Sequence, residues 1–107
     1  MDFDQCCDIL KNTFCTLDFS DIGTDFSVII YITGNDGGYI YIASVDGEMI
    51  VEPVKHDSAN LFISVSKETF EEIYRQQLDP FKAFTTGQIK AKGNVALAFS
   101  LFNKLGT

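Results

Sequence analysis

The sequence predicts an α+β fold, a largely antiparallel five-stranded sheet with its helices collected on one face. Three observations carry that reading. The hydrophobic repeat switches from about 3.6 residues to 2 and back along the chain. Clusters of Gly, Asn, Asp and Pro fall at the switches. The element order that results is helix, four strands, two helices, strand, helix, and a run of strands followed by helices sorts into layers.

Asp4 to Leu17 reads as a helix, because Phe3, Cys6, Cys7, Leu10, Phe14 and Leu17 form one apolar stripe. Asp2, Asp4 and Asp8 crowd its N-terminal end, where the helix dipole favours negative charge. Ser20 to Asp25, with Gly23, is a turn region. Phe26 to Thr33 is β-branched and aromatic, hence a strand. Its Val28, Ile30 and Ile32 share one face and Ile29 and Tyr31 the other. Both faces are apolar, so both are expected to be covered. Gly34-Asn35-Asp36-Gly37-Gly38 is a hairpin turn, since these residues accept positive φ. Tyr39 to Val45 returns, Asp46-Gly47 makes a tight second turn, and Glu48 to Val54 follows. Pro53 lacks a ladder donor and marks the end of that strand or a sheet edge. After the polar loop Lys55 to Asn60, Leu61 to Val65 is a fourth strand, and the successive connections suggest an antiparallel meander.

The period then lengthens. Ser66 caps a short amphipathic helix that carries Phe70, Ile73, Tyr74 and Leu78. Asp79 and Pro80 start another, Phe81 to Thr86, which Gly87 stops. Gln88 to Lys92 alternates, with Ile89 and Ala91 inward and Lys90 and Lys92 on the wet side of a one-sided strand. Gly93-Asn94 turns the chain, with Asn94 as the next N-cap. Val95 to Asn103 is the last helix. Its run V-A-L-A-F-S-L-F is apolar all round, so it needs cover on most sides or an apolar neighbour.

The 107 residues are expected to form a single domain over 1–107. A formal net charge of −7 argues against nucleic-acid binding and against electrostatic docking on anionic membranes. Cys6, Cys7 and Cys15 show no metal-ligand spacing and read as reduced thiols in a reducing compartment, so the expected location is cytoplasmic. No secretory signal and no membrane-spanning run is recognised.

From Ile63 to Leu105 the chain resembles the sterol carrier protein 2 (SCP-2 sterol-transfer) domain family. The residues that carry the resemblance are I-S-V-S-K-E-T-F, then L-D-P-F-K-A-F-T-T-G-Q-I-K-A-K-G-N, then V-A-L-A-F-S-L-F. The residues before them match in element order only. The resemblance implies a five-stranded sheet, helices over one face and an apolar tunnel enclosed between the layers. Family members bind sterols, fatty acids or fatty-acyl chains there without chemistry, as free-standing carriers or as modules fused to enzymes. Well-studied animal carriers are basic and end in a peroxisomal signal, whereas this chain is acidic and ends Leu105-Gly106-Thr107. Where members often place Gln in the last helix, this chain has Phe102.

The leading expectation is therefore non-catalytic binding or carriage of a lipid or fatty-acyl ligand. Ile30, Ile32, Phe84, Ile89, Leu97, Leu101 and Phe102 are the expected lining. The alternative is a small dimerisation or protein-interaction module, a homodimer for instance, with a closed core and no ligand. No catalytic residue, metal site or cofactor is expected. His56 is the only histidine and sits in a polar loop, and adjacent His56, Asp57 and Ser58 cannot converge as a triad does. Gly34 to Gly38 joins two strands and precedes no helix, so it is not a phosphate loop.

Overall fold

Alternation along the strands sends every second side chain into one apolar layer, and the helices close over that layer. The computed structural model describes residues 2–16, 25–34 and 37–105. In chain order the elements are α1 (Phe3–Thr16), β1 (Phe26–Thr33), β2 (Gly38–Val45), β3 (Glu48–Glu52), β4 (Leu61–Ser66), α2 (Lys67–Tyr74), α3 (Pro80–Thr85), β5 (Ile89–Gly93) and α4 (Val95–Leu105). The expected end of the first helix at Leu17, most of the turn from Ser20 to Asp25, and Asn35 and Asp36 lie outside the described residues.

The sheet order is β3-β2-β1-β4-β5. Three of its pairings, β1–β2, β2–β3 and β4–β5, are antiparallel, so the sheet is mainly antiparallel. The meander is corrected at β4, which pairs parallel with β1 instead of continuing beyond β3. The loop after β3 carries the chain back across the sheet. A polar loop of that kind suits a hairpin or a crossover equally, and what decides is the other edge of β1. There Val28, Ile30 and Ile32 align with Leu61, Ile63 and Val65, and the joint strip is buried under the helices. Hydrogen bonds fix the register. The Ser27 N–H donates to Asn60 Oδ1 at 2.9 Å and the Asn60 N–H donates to Ser27 Oγ at 3.0 Å.

The inner layer joins Phe26, Val28, Ile30 and Ile32 with Ile40 and Ile42, Leu61, Ile63 and Val65, and Ile89. All the helices contribute to it, through Cys6, Leu10 and Phe14, through Phe70 and Ile73, through Ala83, and through Leu97, Leu101 and Phe102. The outer face differs from expectation. Tyr31 and Phe62 remain 38% and 37% exposed there, so cover over both faces holds for one only. Ile29 is nevertheless buried, since its cross-strand neighbours are the large Tyr41 and Phe62.

Local signals account for the boundaries. Asp2 and Gln5 form a reciprocal capping box before α1, with bonds of 2.8 and 2.9 Å. Ser66 Oγ accepts from the Thr69 N–H, Asp79 Oδ1 from the Phe81 N–H, and Asn94 Oδ1 from the Leu97 N–H. Helix α2 stops at Tyr74, short of the expected Leu78. The Gln77 N–H bonds Glu72 O and the Gln76 N–H bonds Ile73 O, a Schellman closure with Gln76 at φ +61°. The same closure ends α3, where the residue at positive φ is Gly87. A glycine announced the second stop, and a glutamine hid the first.

Gly93 sits at φ +99°, and a Cβ there would lie 2.6 Å from Asn60 O, the same carbonyl that accepts the Asn94 N–H at 2.8 Å. Gly93→Ala should therefore lower unfolding stability by about 2 kcal/mol in urea titration. Gln76→Gly should raise it by about 0.5–1 kcal/mol, because it relieves a left-handed residue. Unchanged midpoints would show that neither backbone conformation is maintained in solution.

Candidate functional site

The apolar layer between sheet and helices is the candidate site. Its floor is set by strand alternation, which places Ile30 and Ile32 of β1 and Ile89 of β5 on the helix-facing side. Its roof comes from α4, where Leu97, Ala98, Leu101 and Phe102 follow one helical stripe and are all buried. All of the expected lining residues fall in this cluster. Ile30, Ile32, Ile89, Leu97, Leu101 and Phe102 are buried in it, and Phe84 is partly buried against it.

Four phenylalanines close the layer where α3 meets α4. Phe81 meets Phe102 edge to face at 5.8 Å, and Phe84 meets Phe99 edge to face at 5.6 Å. The diagonal pairs, Phe81–Phe99 and Phe84–Phe102, are tilted at 5.9 and 6.1 Å. Each contact of this geometry is worth about 0.5–1.5 kcal/mol beyond area burial. Phe99 stays 42% exposed, so the cluster runs from solvent to the buried layer. Phe81 and Phe99 are absent from the expected lining. Their signal was present as two Phe pairs at i, i+3 spacing, Phe81/Phe84 and Phe99/Phe102, on consecutive helices.

The layer is almost free of polar groups. Among the described residues the buried polar side chain is Thr69, whose hydroxyl bonds Ser66 Oγ at 3.0 Å in the α2 cap. Among them no cluster of His, Cys, Asp or Glu could hold a metal ion, and no helix is long and apolar enough to cross a membrane. His56 lies over the outer face, its ring stacked on Tyr41 at 3.6 Å. Such a layer can hold an apolar body by burial.

The model of the SCP-2 sterol transfer family matches residues 24–105. The chain belongs to that family. Similar proteins include the mouse peroxisomal multifunctional enzyme type 2, 42% identical over 62 residues, which are 58% of this chain and 8% of that protein. Human hydroxysteroid dehydrogenase-like protein 2 is 34% identical over 73 residues, 65% of this chain and 17% of that protein. The chain thus matches only a small part of these longer relatives. Among solved structures, the palmitated SCP2L2 of Aedes aegypti superposes with a TM-score of 0.71 at 16% identity, covering 92% of each chain. The sec-alkylsulfatase of a Pseudomonas species gives 0.62 at 18% identity, over 78% of this chain and 13% of that one. At these identities the likeness is one of fold, the α+β layer arrangement.

The cysteines lie apart from the phenylalanine cluster, on α1. Burial pushes the Cys6 thiol up from its ordinary value, with Lys67 and the N-terminal amine pulling the other way. Burial, then Asp4, Cys6 and Asp8, push Cys7 up to about 11. Both thiols are thus held in the protonated, unreactive form at neutral pH. The unfolded chain loses these protons first, near pH 9, so stability should fall as pH rises from about 9 to 11. Cys7→Ala should remove part of that alkaline loss in thermal melts. A thiol-specific reagent at pH 8 should label exposed Cys15 well before the other two. Rapid labelling of Cys7 would contradict the burial.

Proposed function

We propose that this chain is a non-catalytic lipid carrier, which takes a fatty acid, acyl chain or sterol-like ligand into an apolar tunnel between sheet and helices. Ile30, Ile32, Phe84, Ile89, Leu97, Leu101 and Phe102 are its lining, and the four-phenylalanine cluster is its mouth. The observation that carries this reading is the continuous aromatic path from exposed Phe99 through Phe81 to buried Phe102, which leads into a layer with no charged side chain among its buried members. Each buried methylene contributes about 0.8 kcal/mol, so ten give roughly 8 kcal/mol before ordering costs. That is sufficient for binding without a polar anchor, and it suits a helix with Phe102 where a polar residue is often found. The palmitated state of the similar Aedes protein supports an acyl ligand. The reducing character implied by three free cysteines favours the cytoplasm.

Native mass spectrometry of the purified protein should show fatty acid bound one to one, and a fluorescent fatty acid should be taken up and displaced by palmitate. No uptake by ligand-stripped protein would end the proposal. Phe99→Ala removes a half-exposed ring, so it should shift the melting temperature by less than about 4 °C. It should still weaken fatty-acid affinity by about tenfold, or 1.4 kcal/mol. Phe102→Ala should lower both. An affinity that does not change in Phe99→Ala would place the mouth elsewhere.

A further inference from the structure

The outer face of the sheet has a pattern that the interlayer site does not use. Cross-strand register sets Glu52, Tyr41, Ile29, Phe62 and Lys92 side by side in one row. The next row reads Tyr39, Tyr31, Ser64, Lys90. Ser64 is short between Tyr31 and Lys90, and the gap it leaves is a groove of about 480 Å³ whose walls include Tyr31, Tyr39, Phe62 and the two lysines. Tyr31 and Tyr39 stack at 4.6 Å as a ridge beside it. The face is therefore apolar in the middle, acidic at its β3 edge and basic at its β5 edge. Among the described residues neither Glu52 nor Lys92 has an ion-pair partner within the chain.

We propose that this face is taken by a second copy of the same chain, in a two-fold dimer whose axis runs along β1 past Ile29. Such an axis keeps position along the strands and reverses strand order across the interface, so the same patch meets itself. Glu52 then faces Lys92 of the second copy, and Tyr41, with His56 stacked on it, faces Phe62, while the buried Ile29 marks the axis. In the next row Tyr39 faces Ser64 of the second copy and Tyr31 faces its own equivalent, so the Tyr39 half of one ridge enters the groove of the other chain. Both the charge reversal and the large-to-small match arise from one operation on the register already described. Packed sheets rotate by about 30°, which displaces an edge strand by roughly 5 Å, within reach of Lys and Glu side chains. The like-charge approach in this arrangement is between Lys90 and Lys55, whose ammonium lies 5.2 Å over Tyr39, and both stems are exposed and extend to solvent. A lone anionic amphiphile would complement the lysines and leave Glu52 unmatched. A second copy matches both ends.

Sedimentation equilibrium of the whole chain up to about 100 µM should show a dimer. Lys92→Glu and Glu52→Lys should each weaken association by about tenfold or more, and the double exchange should restore it. Ser64→Phe, which fills the groove, should give a monomer with an unchanged circular dichroism spectrum. All these variants should keep the fatty-acid affinity of the parent chain, because they lie on the opposite face from the proposed tunnel, so loss of association and loss of lipid binding read out separately. A monomeric parent chain would overturn the proposal, as would single reversals that leave the dimer intact or a double exchange that fails to restore it. A monomer in which decanoate perturbs Tyr31, Tyr39 and Phe62 resonances, in a Lys90- and Lys92-dependent way, would assign the groove to an anionic amphiphile instead.

Discussion

The parallel pairing of β1 with β4 is the constraint on which the rest of the structure depends. It places β1, the strand richest in β-branched residues, at the middle of the sheet and puts β5 on the far side of β4. Parallel neighbours cannot be joined by a tight turn. Here the connection is a pair of hairpin strands and a polar loop, and Asn60 ends it. Its side chain and backbone bond Ser27, and its carbonyl accepts the N–H of Asn94. One asparagine thus holds the start of β1, the start of β4 and the junction of β5 with α4. A one-residue slip at this point would turn Val28, Ile30 and Ile32 out of the core.

That register then decides where function can lie. With the inner halves of β1, β2, β4 and β5 aligned, the helices meet a floor with no polar interruption. The last helix can then be apolar throughout, because one side lies on that floor and another lies on the phenylalanines of α3. Polar groups are confined to caps at the helix starts, where Ser66, Asp79 and Asn94 satisfy backbone donors at the rim of the layer. The lipid carriage proposed for this layer needs this separation: hydrogen bonding at the ends of elements and apolar contact between them.

The same strands have a second face with different chemistry. Alternation makes Ile30 a core residue and its neighbours Ile29 and Tyr31 outer ones. On the outer side burial comes from large side chains standing next to each other and not from a covering helix. Lys90 and Lys92 are legible in the sequence as the wet side of β5. Their alignment with Ser64 and Phe62, and through β1 and β2 with Glu52, depends on pairings between segments far apart in the chain.

What the sequence determined by itself is everything governed by near neighbours. Hydrophobic period and capping residues place the helices and strands, since a turn or a cap involves residues within four positions of each other. The run from Asp79 to Val95 is legible almost to the residue for that reason, and so is the apolar nature of α4. The burial of Ile30, Ile32, Ile89, Leu97, Leu101 and Phe102 between the layers was also legible, because period assigns each to a face and the faces must meet. The end of α2 was not, since Gln76 adopts a left-handed conformation that glycine would have signalled. Tertiary structure alone decided that β4 joins β1, because a polar loop carries no information about which free edge it serves. It also decided that only one face of the sheet is covered, which follows from all the helices burying their stripes in a single layer.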